Sequence, residues 1–446
     1  MKSNVIKYIF FIAVLIIVGV AIYMIYKDNK SNSENAENQA TAQTNQTITD
    51  LRMEIVSYDT INPLISNNRN VQEITKLIFE PLLQLDENYK LQPCLATEWA
   101  KSGDTSYILK LRSNVKWQDG TSFTAQDVKY TIETLKQINS IYSYNVQHIA
   151  SVDIIDNYSI RINLDTIIPF FEYNLIFPIV SSTYFAGQDI QNTDKNATPI
   201  GTGMYKIESN STSTVVLKKN TSWWNISEKN AKVDTINVNK YSSMGEAYNA
   251  FKLGNIDILT TENINIEDNI GTIGYNKKEF YGREHDFIAL NTYDNFLSRW
   301  EVRKAISYAI DKSSIVTSVY GGKYYTADNP LDYGNWTFEQ GSSSTGYNPD
   351  QAKQVLIDGG WSYKYGSWQK VENYKTIRLS INLTVNADNS SQVAVADIIK
   401  TSLENIGIKV NVSKLNSASF QTALNNKNYG MIITGTNSSL SPSLVT

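Results

Sequence analysis

The stretch Ile377-Arg378-Leu379-Ser380-Ile381-Asn382-Leu383-Thr384-Val385 sets an apolar side chain at every second position. That is the period of a strand with one buried face. Beyond it, Val395, Ile398, Ile399, Leu403 and Ile406 recur at helical spacing, and Gly407 follows as a helix stop. Ile408, Val410 and Val412 then alternate again. Strand, helix and strand in succession predict a right-handed, parallel βαβ unit, hence a mixed α/β fold.

Working outward, Met431-Ile432-Ile433 reads as a further buried strand. Val302, Ala305, Ile306, Ala309 and Ile310 form a helical stripe, as do Val71, Ile74, Ile78, Phe79 and Leu82. Such stripes are the signature of core packing. Ile154 and Ile155 face Ile160, Ile162 and Leu164 across the turn-prone Asp156-Asn157, a hairpin pattern. Asp119-Gly120 is another turn, Ile207 and Val215-Leu217 bracket a polar one, and Ile236, Val238 and Tyr241 suggest one more strand. No internal repeat is visible.

The chain has 446 residues and a formal net charge of −4. That length suggests two or three domains, and the charge lacks the concentrated basic face of a nucleic-acid binder. Cys94 is the sole cysteine and His148 and His285 are far apart, so neither a disulfide nor a zinc site is expected. Gly201-Thr202-Gly203 lacks the third glycine and the following helix of a nucleotide loop. No nucleophile elbow, zincin or Walker motif is present. Asp127, Asp257 and Asp311 lie in apolar-patterned segments, where helix caps and structural hydrogen bonds are the expected roles. No catalytic residue, metal site or cofactor is assigned.

Residues 8–26, YIFFIAVLIIVGVAIYMIY, carry no charge. A helix of that length spans roughly 28 Å, close to a bilayer's apolar core. A cleaved signal peptide has a shorter apolar run of ~7–15 residues and a small-x-small site after it. Here Lys27-Asp28-Asn29-Lys30 follows, and a lipoprotein cysteine is missing at that point. An uncleaved transmembrane anchor is therefore expected, with a cytoplasmic N-terminus at 1–7. Residues 27–50, poor in large apolar groups, read as a flexible linker.

Several segments together resemble family 5 of the extracellular solute-binding proteins, the peptide- and nickel-type components of ABC importers. They are Ile78-Phe79-Glu80-Pro81-Leu82-Leu83, Leu91 to Trp99, Leu111 to Val128 and Pro199 to Tyr205 with Trp223-Trp224. Gly254-Asn255-Ile256-Asp257, Val302 to Lys312, Asn348 to Lys353 and Ile406 to Val410 continue the series in the family's order.

The resemblance implies a two-lobed periplasmic-binding-protein-like fold of type II, closing on ligand by a hinge. Lobe one, with an extra subdomain, would span 51–285, and lobe two 286–446. The family continues beyond the point where this chain stops, so a fragment is expected, or else a lost return to lobe one. Peptide-binding members carry an aspartate after the glycine of the strand near Gly435. Here the run is Gly435-Thr436-Asn437-Ser438-Ser439-Leu440-Ser441-Pro442, which offers hydroxyls and an amide but no full negative charge.

Three stretches are expected to face the cleft. The loop after the first strand contributes Tyr58, Asn62, Asn67, Asn68 and Arg69. Arg69 either grips a carboxylate or makes a surface salt bridge. The crossing segment contributes Arg283 and Asn291, and the late strand Thr436 and Asn437. Trp336 or Tyr333 either stacks on ligand or anchors a loop. The implied function is an extracytoplasmic, single-pass, monomeric receptor in the cell membrane. It would deliver a peptide or other small solute to ABC permease subunits and their ATPases. The alternative is a tethered signalling receptor that uses the same fold without transport.

Overall fold

The computed structural model describes residues 49–280, 282–327 and 346–437. The expected anchor at 8–26, the linker up to residue 48, and Tyr333 and Trp336 lie outside the described residues. Among the described residues no helix is long and apolar enough to cross a membrane.

The first half builds two four-stranded sheets. One joins β1 (Asp50–Val56), β6 (Tyr205–Asn210), β7 (Thr214–Lys219) and β8 (Thr235–Tyr241) in the order β1-β8-β7-β6. β1 runs parallel to β8, and the other pairs are antiparallel. The second is an antiparallel sheet of β2 (Ala96–Gly103), β3 (Ser106–Leu111), β4 (Ile149–Asp156) and β5 (Ser159–Leu164), ordered β2-β3-β5-β4. The hairpin read around Asp156-Asn157 is β4–β5, with Ile154 opposite Ile160. A single apolar core gathers side chains from both sheets, among them Ile55, Phe79, Leu109, Phe123, Ile160, Leu217 and Val238.

The stripe starting at Val71 is helical only over α1 (Arg69–Thr75). Ile78, Phe79 and Leu82 remain fully buried, but the chain has left the helix by then. Its carbonyls are needed elsewhere: Ile78 O accepts Gly203 N–H at 2.8 Å, and Leu77 O accepts Tyr205 N–H at 2.9 Å. Gly201-Thr202-Gly203 owes its glycines to this contact. A Cβ on Gly201 would overlap the Ile78 carbonyl, and one on Gly203 would lie 2.6 Å from Leu77 O.

The decisive stretch folds as a βαβ unit, with one break. Lys375–Arg378 pairs with Ser367–Glu372 in a small separate sheet. Only β10 (Ser380–Asn386) enters the main sheet of the second half, so the alternation from Ile377 spans two strands. α7 (Ser390–Asn405) follows, Gly407 leaves it at φ +86°, and β11 (Lys409–Leu415) returns parallel to β10. β12 (Met431–Asn437) adds on the other side of β10, also parallel. β9 (Glu284–Leu290) then pairs antiparallel with β12, giving the order β9-β12-β10-β11. A second core, separate from the first, draws on α4 (Trp300–Ala309), α6 (Pro349–Asp358), α7 and this sheet.

The three aspartates serve structure. Asp127 Oδ2 accepts Thr124 N–H in a capping box on α2 (Ala125–Leu135), while Oδ1 accepts Ser182 N–H and its hydroxyl. Asp257 accepts the backbone N–H and the guanidinium of Arg52. Asp311 caps α5 (Lys312–Tyr320) by accepting Ser314 N–H.

Candidate ligand-binding cleft

The loop after β1 is held from within. Asp59 accepts the Ser66 hydroxyl and Asn67 N–H, at 2.7 and 2.9 Å. Asn68 caps α1 through Oδ1 and donates Nδ2–H to the carbonyls of Val56 and Ser57, both at 2.7 Å. Asn62 is 0% exposed; its Oδ1 accepts Leu64 N–H and its amide donates to Asn196 at 2.8 Å. Both asparagines of the expected contact set are thus engaged within the loop. Their amides are consumed in shaping the loop, because buried polar groups must be satisfied internally. Asn291 is engaged likewise: its amide donates to the carbonyls of Lys427 and Tyr429, and its oxygen accepts Tyr293 N–H.

The remaining expected residues are placed as follows. Tyr58 is half-buried, its hydroxyl accepting from Asn210 at 2.9 Å and its ring lying 3.7 Å beneath the Lys240 ammonium. Asn67 is exposed. Arg69 is exposed and forms an ion pair with Glu262. Arg283 is half-buried and precedes β9. Asn437 is a strand position opposite Glu284, and Thr436 stands opposite His285.

Thr436 opens onto a polar hollow of about 380 Å³. Its walls are Glu284 and Asp286 from β9, Gly435 and Thr436 from β12, and Tyr320 and Tyr324 from the end of α5 and the turn beyond. Strand alternation points Glu284 and Asp286 the same way, while His285 and Phe287 pair their rings, 6.0 Å apart, from the intervening positions. Tyr320 and Tyr324 lie with ring centroids 4.4 Å apart. The start of α7 closes another side, where Asn389 caps the helix by accepting Gln392 N–H at 3.0 Å.

The Asp286 residue shows surface along the strand, yet its carboxyl is crowded. Desolvation raises its pKa, against the opposing effects of the Tyr320 hydroxyl at 3.5 Å and of His285. Tyr320 is pushed up to about 12, first by burial and then by Asp286 and its aromatic neighbour. Tyr324 is raised by burial, then by Glu284, Asp286 and Glu262. Lys323 donates to Ile264 O and lies 4.0 Å from Glu267, tying this turn to the segment after β8.

Glu284 and Asp286 of the hollow lie between Arg283 and Asn291 in the crossing segment. The alternation of Glu284 and Asp286 within that segment, and the i, i+4 spacing of Tyr320 and Tyr324, were the signals available.

Comparison with known proteins gives a consistent result. The family described as "Bacterial extracellular solute-binding proteins, family 5 Middle" matches residues 90–444. The glutathione-binding protein GsiB of Escherichia coli K12 is 25% identical over 375 residues, covering 81% of this chain and 68% of that relative. NikZ from Campylobacter jejuni, solved in complex with Ni(L-His), is 26% identical with a TM-score of 0.61, covering 89% of this chain and 78% of NikZ. The ABC transporter substrate-binding protein CtaP of Listeria monocytogenes shares the fold at a TM-score of 0.72 and 21% identity, over 89% of this chain and 80% of CtaP.

Proposed function

Because the chain belongs to family 5 of the bacterial extracellular solute-binding proteins, we propose that it captures a peptide or similar small solute between its two cores and delivers it to an ABC permease. It is a binding protein and not an enzyme. The observation that carries the specific reading is the hollow beside β9. It is concave and polar, walled by β9, β12, the end of α5 and the start of α7. A ligand bridging the two sides favours a closed arrangement over the open one by its differential contacts, and a permease can sense that difference. The apolar run at 8–26 supports tethering of this body to the outer face of the cell membrane.

The test is native mass spectrometry of the full chain extracted from its membrane, with small-angle scattering on the same sample. A retained small mass, released on denaturation and restoring a more compact particle when added back, is the expected result. A chain that carries no solute and never compacts argues against solute capture. Protease added to intact cells should remove the body while leaving the apolar segment at 8–26 in the membrane.

A further inference from the structure

We propose that the small sheet of Ser362–Lys364, Ser367–Glu372 and Lys375–Arg378 docks the body onto an anionic lipid surface. This goes beyond solute capture and rests on the tether at 8–26 only for keeping the body near a bilayer.

Backbone conformation is the first argument. The sheet's two turns are Tyr365-Gly366 and Asn373-Tyr374, and all four residues have positive φ, at 51°, 75°, 49° and 61°. Two-residue turns of that kind favour asparagine followed by glycine. A tyrosine there is strained, because its Cβ crowds the backbone. Packing does not offset the strain, since Tyr365 is 96% exposed and Tyr374 104%. The fold thus holds two tyrosines in costly positions with their rings in solvent. Rings with an apolar body and a polar tip favour the boundary between water and lipid.

Charge is the second. Residues 362–378 carry Lys364, Lys370, Lys375 and Arg378 against Glu372 alone, in a chain of net charge −4. Glu372 is taken by Arg299 at 2.6 Å, and Lys370 lies 3.6 Å from Glu301. Lys364, Lys375 and Arg378 are exposed and pair with no carboxylate among the described residues. Cations so placed are drawn to an anionic leaflet once they are within a Debye length of it.

Shape is the third. Trp368 on the central strand packs into the second core, so its neighbours Ser367, Gln369 and Val371 face away. Lys364 pairs with Ser367 and Arg378 with Gln369, which puts both cations on that outer face beside Val371, itself 70% exposed. The two tyrosines flank the face from opposite ends of the central strand, about 20 Å apart. That spread fits a broad anionic plane and exceeds a small solute. Residues 27–48 separate the apolar run from Thr49 beside β1 and reach at most roughly 80 Å when extended. A folded body of this length is roughly 55 Å across, so the tether allows any of its faces to meet the bilayer and keeps the local concentration high.

The experiment is hydrogen exchange of the full chain in nanodiscs of phosphatidylcholine, alone or mixed with phosphatidylglycerol. Amides of 362–378 should exchange at least threefold more slowly in the anionic discs, and high salt should abolish the difference. Tyr365→Asn with Tyr374→Gly should remove this protection with a melting transition unchanged or raised, because the new residues suit the turns; a packing role for the tyrosines would lower it. Lys364→Gln with Lys375→Gln and Arg378→Gln removes the charge, and should remove the protection, by an independent route. Equal exchange in the two lipids, or protection that survives both variants, overturns the proposal. Protection in native membrane vesicles but not in protein-free anionic discs assigns the face to a membrane protein and also overturns it. A chain that does not stay in the discs counts against the tether alone, because flotation with vesicles of the same two compositions then reads the same lipid preference.

Discussion

Asp286 and Gly435 are partners in the antiparallel pairing of β9 with β12, and the carboxylate of the first rests where a side chain on the second would lie. The β12 strand thus brings no negative charge of its own near Gly435, yet its neighbour supplies two, at Glu284 and Asp286. The charge sits one strand over, which no inspection of the Gly435 run alone could disclose.

Gly435→Ala tests this packing. Gly435 does not occupy the left-handed backbone region, so alanine suits its conformation. The substitution forces only the Asp286 carboxylate to turn away. Stability should change by less than about 1 kcal/mol, as for a substitution outside the core. Losing one charge-assisted hydrogen bond costs about 1.5–3 kcal/mol, so a ligand that the Asp286 carboxylate holds should bind about ten- to a hundredfold more weakly. Urea unfolding and calorimetry on the same preparation separate the two effects. Unaltered affinity would show that the carboxylate's position is unimportant.

Glu80→Gln addresses the frame that holds the first core to its late loop. Glu80 is 8% exposed and accepts the indole N–H of Trp223 at 3.0 Å and of Trp224 at 2.8 Å, one on each oxygen. The Arg112 guanidinium lies 4.1 Å over the Trp224 ring. Glutamine has one acceptor oxygen, so one indole N–H is left facing another donor. A buried, unsatisfied donor costs about 1–3 kcal/mol. The variant should lose that much in urea unfolding and show altered tryptophan fluorescence while still folded. A wild-type midpoint would mean that one of the two bonds is dispensable.

The second core was legible because its elements are strongly periodic and local: β10, α7 and β11 follow one another directly, and Gly407 marks its own helix end. Ile377 to Val385 spans two strands and not one because alternation persists across the break at Leu379 while hydrogen bonding changes sheet. The stripe from Val71 to Leu82 failed as one helix for a related reason. Its burial is real, but the carbonyls of Leu77 and Ile78 serve a loop more than a hundred residues away. The cleft was harder to read. Asn62, Asn68 and Asn291 look like ligand donors because they are polar and sit in the right segments, yet each is spent on backbone groups or another side chain nearby. The pairing that sets Asp286 against Gly435 is non-local, and alternation along one strand carries no information about its partner.

Glu54 provides a pH-dependent prediction independent of any ligand. It sits on β1 at 3% exposure, with Oε1 accepting Thr260 N–H at 2.7 Å and Oε2 without a hydrogen-bond partner. Burial raises its pKa above the ordinary 4.5, although the Thr260 N–H opposes the shift. In the folded protein the group therefore holds its proton over a pH range in which the unfolded chain has released it. Its contribution to stability is fully present below the unfolded value and is lost as pH rises through the folded one. Glutamine keeps the Thr260 acceptor and has no proton to lose. The stability of Glu54→Gln relative to wild type should therefore become more favourable as pH increases from about 4 to about 8. Urea unfolding across that range measures the difference directly. A difference that stays constant with pH would mean that Glu54 titrates alike in the folded and unfolded chains, and that its unpaired oxygen finds a partner the fold does not display.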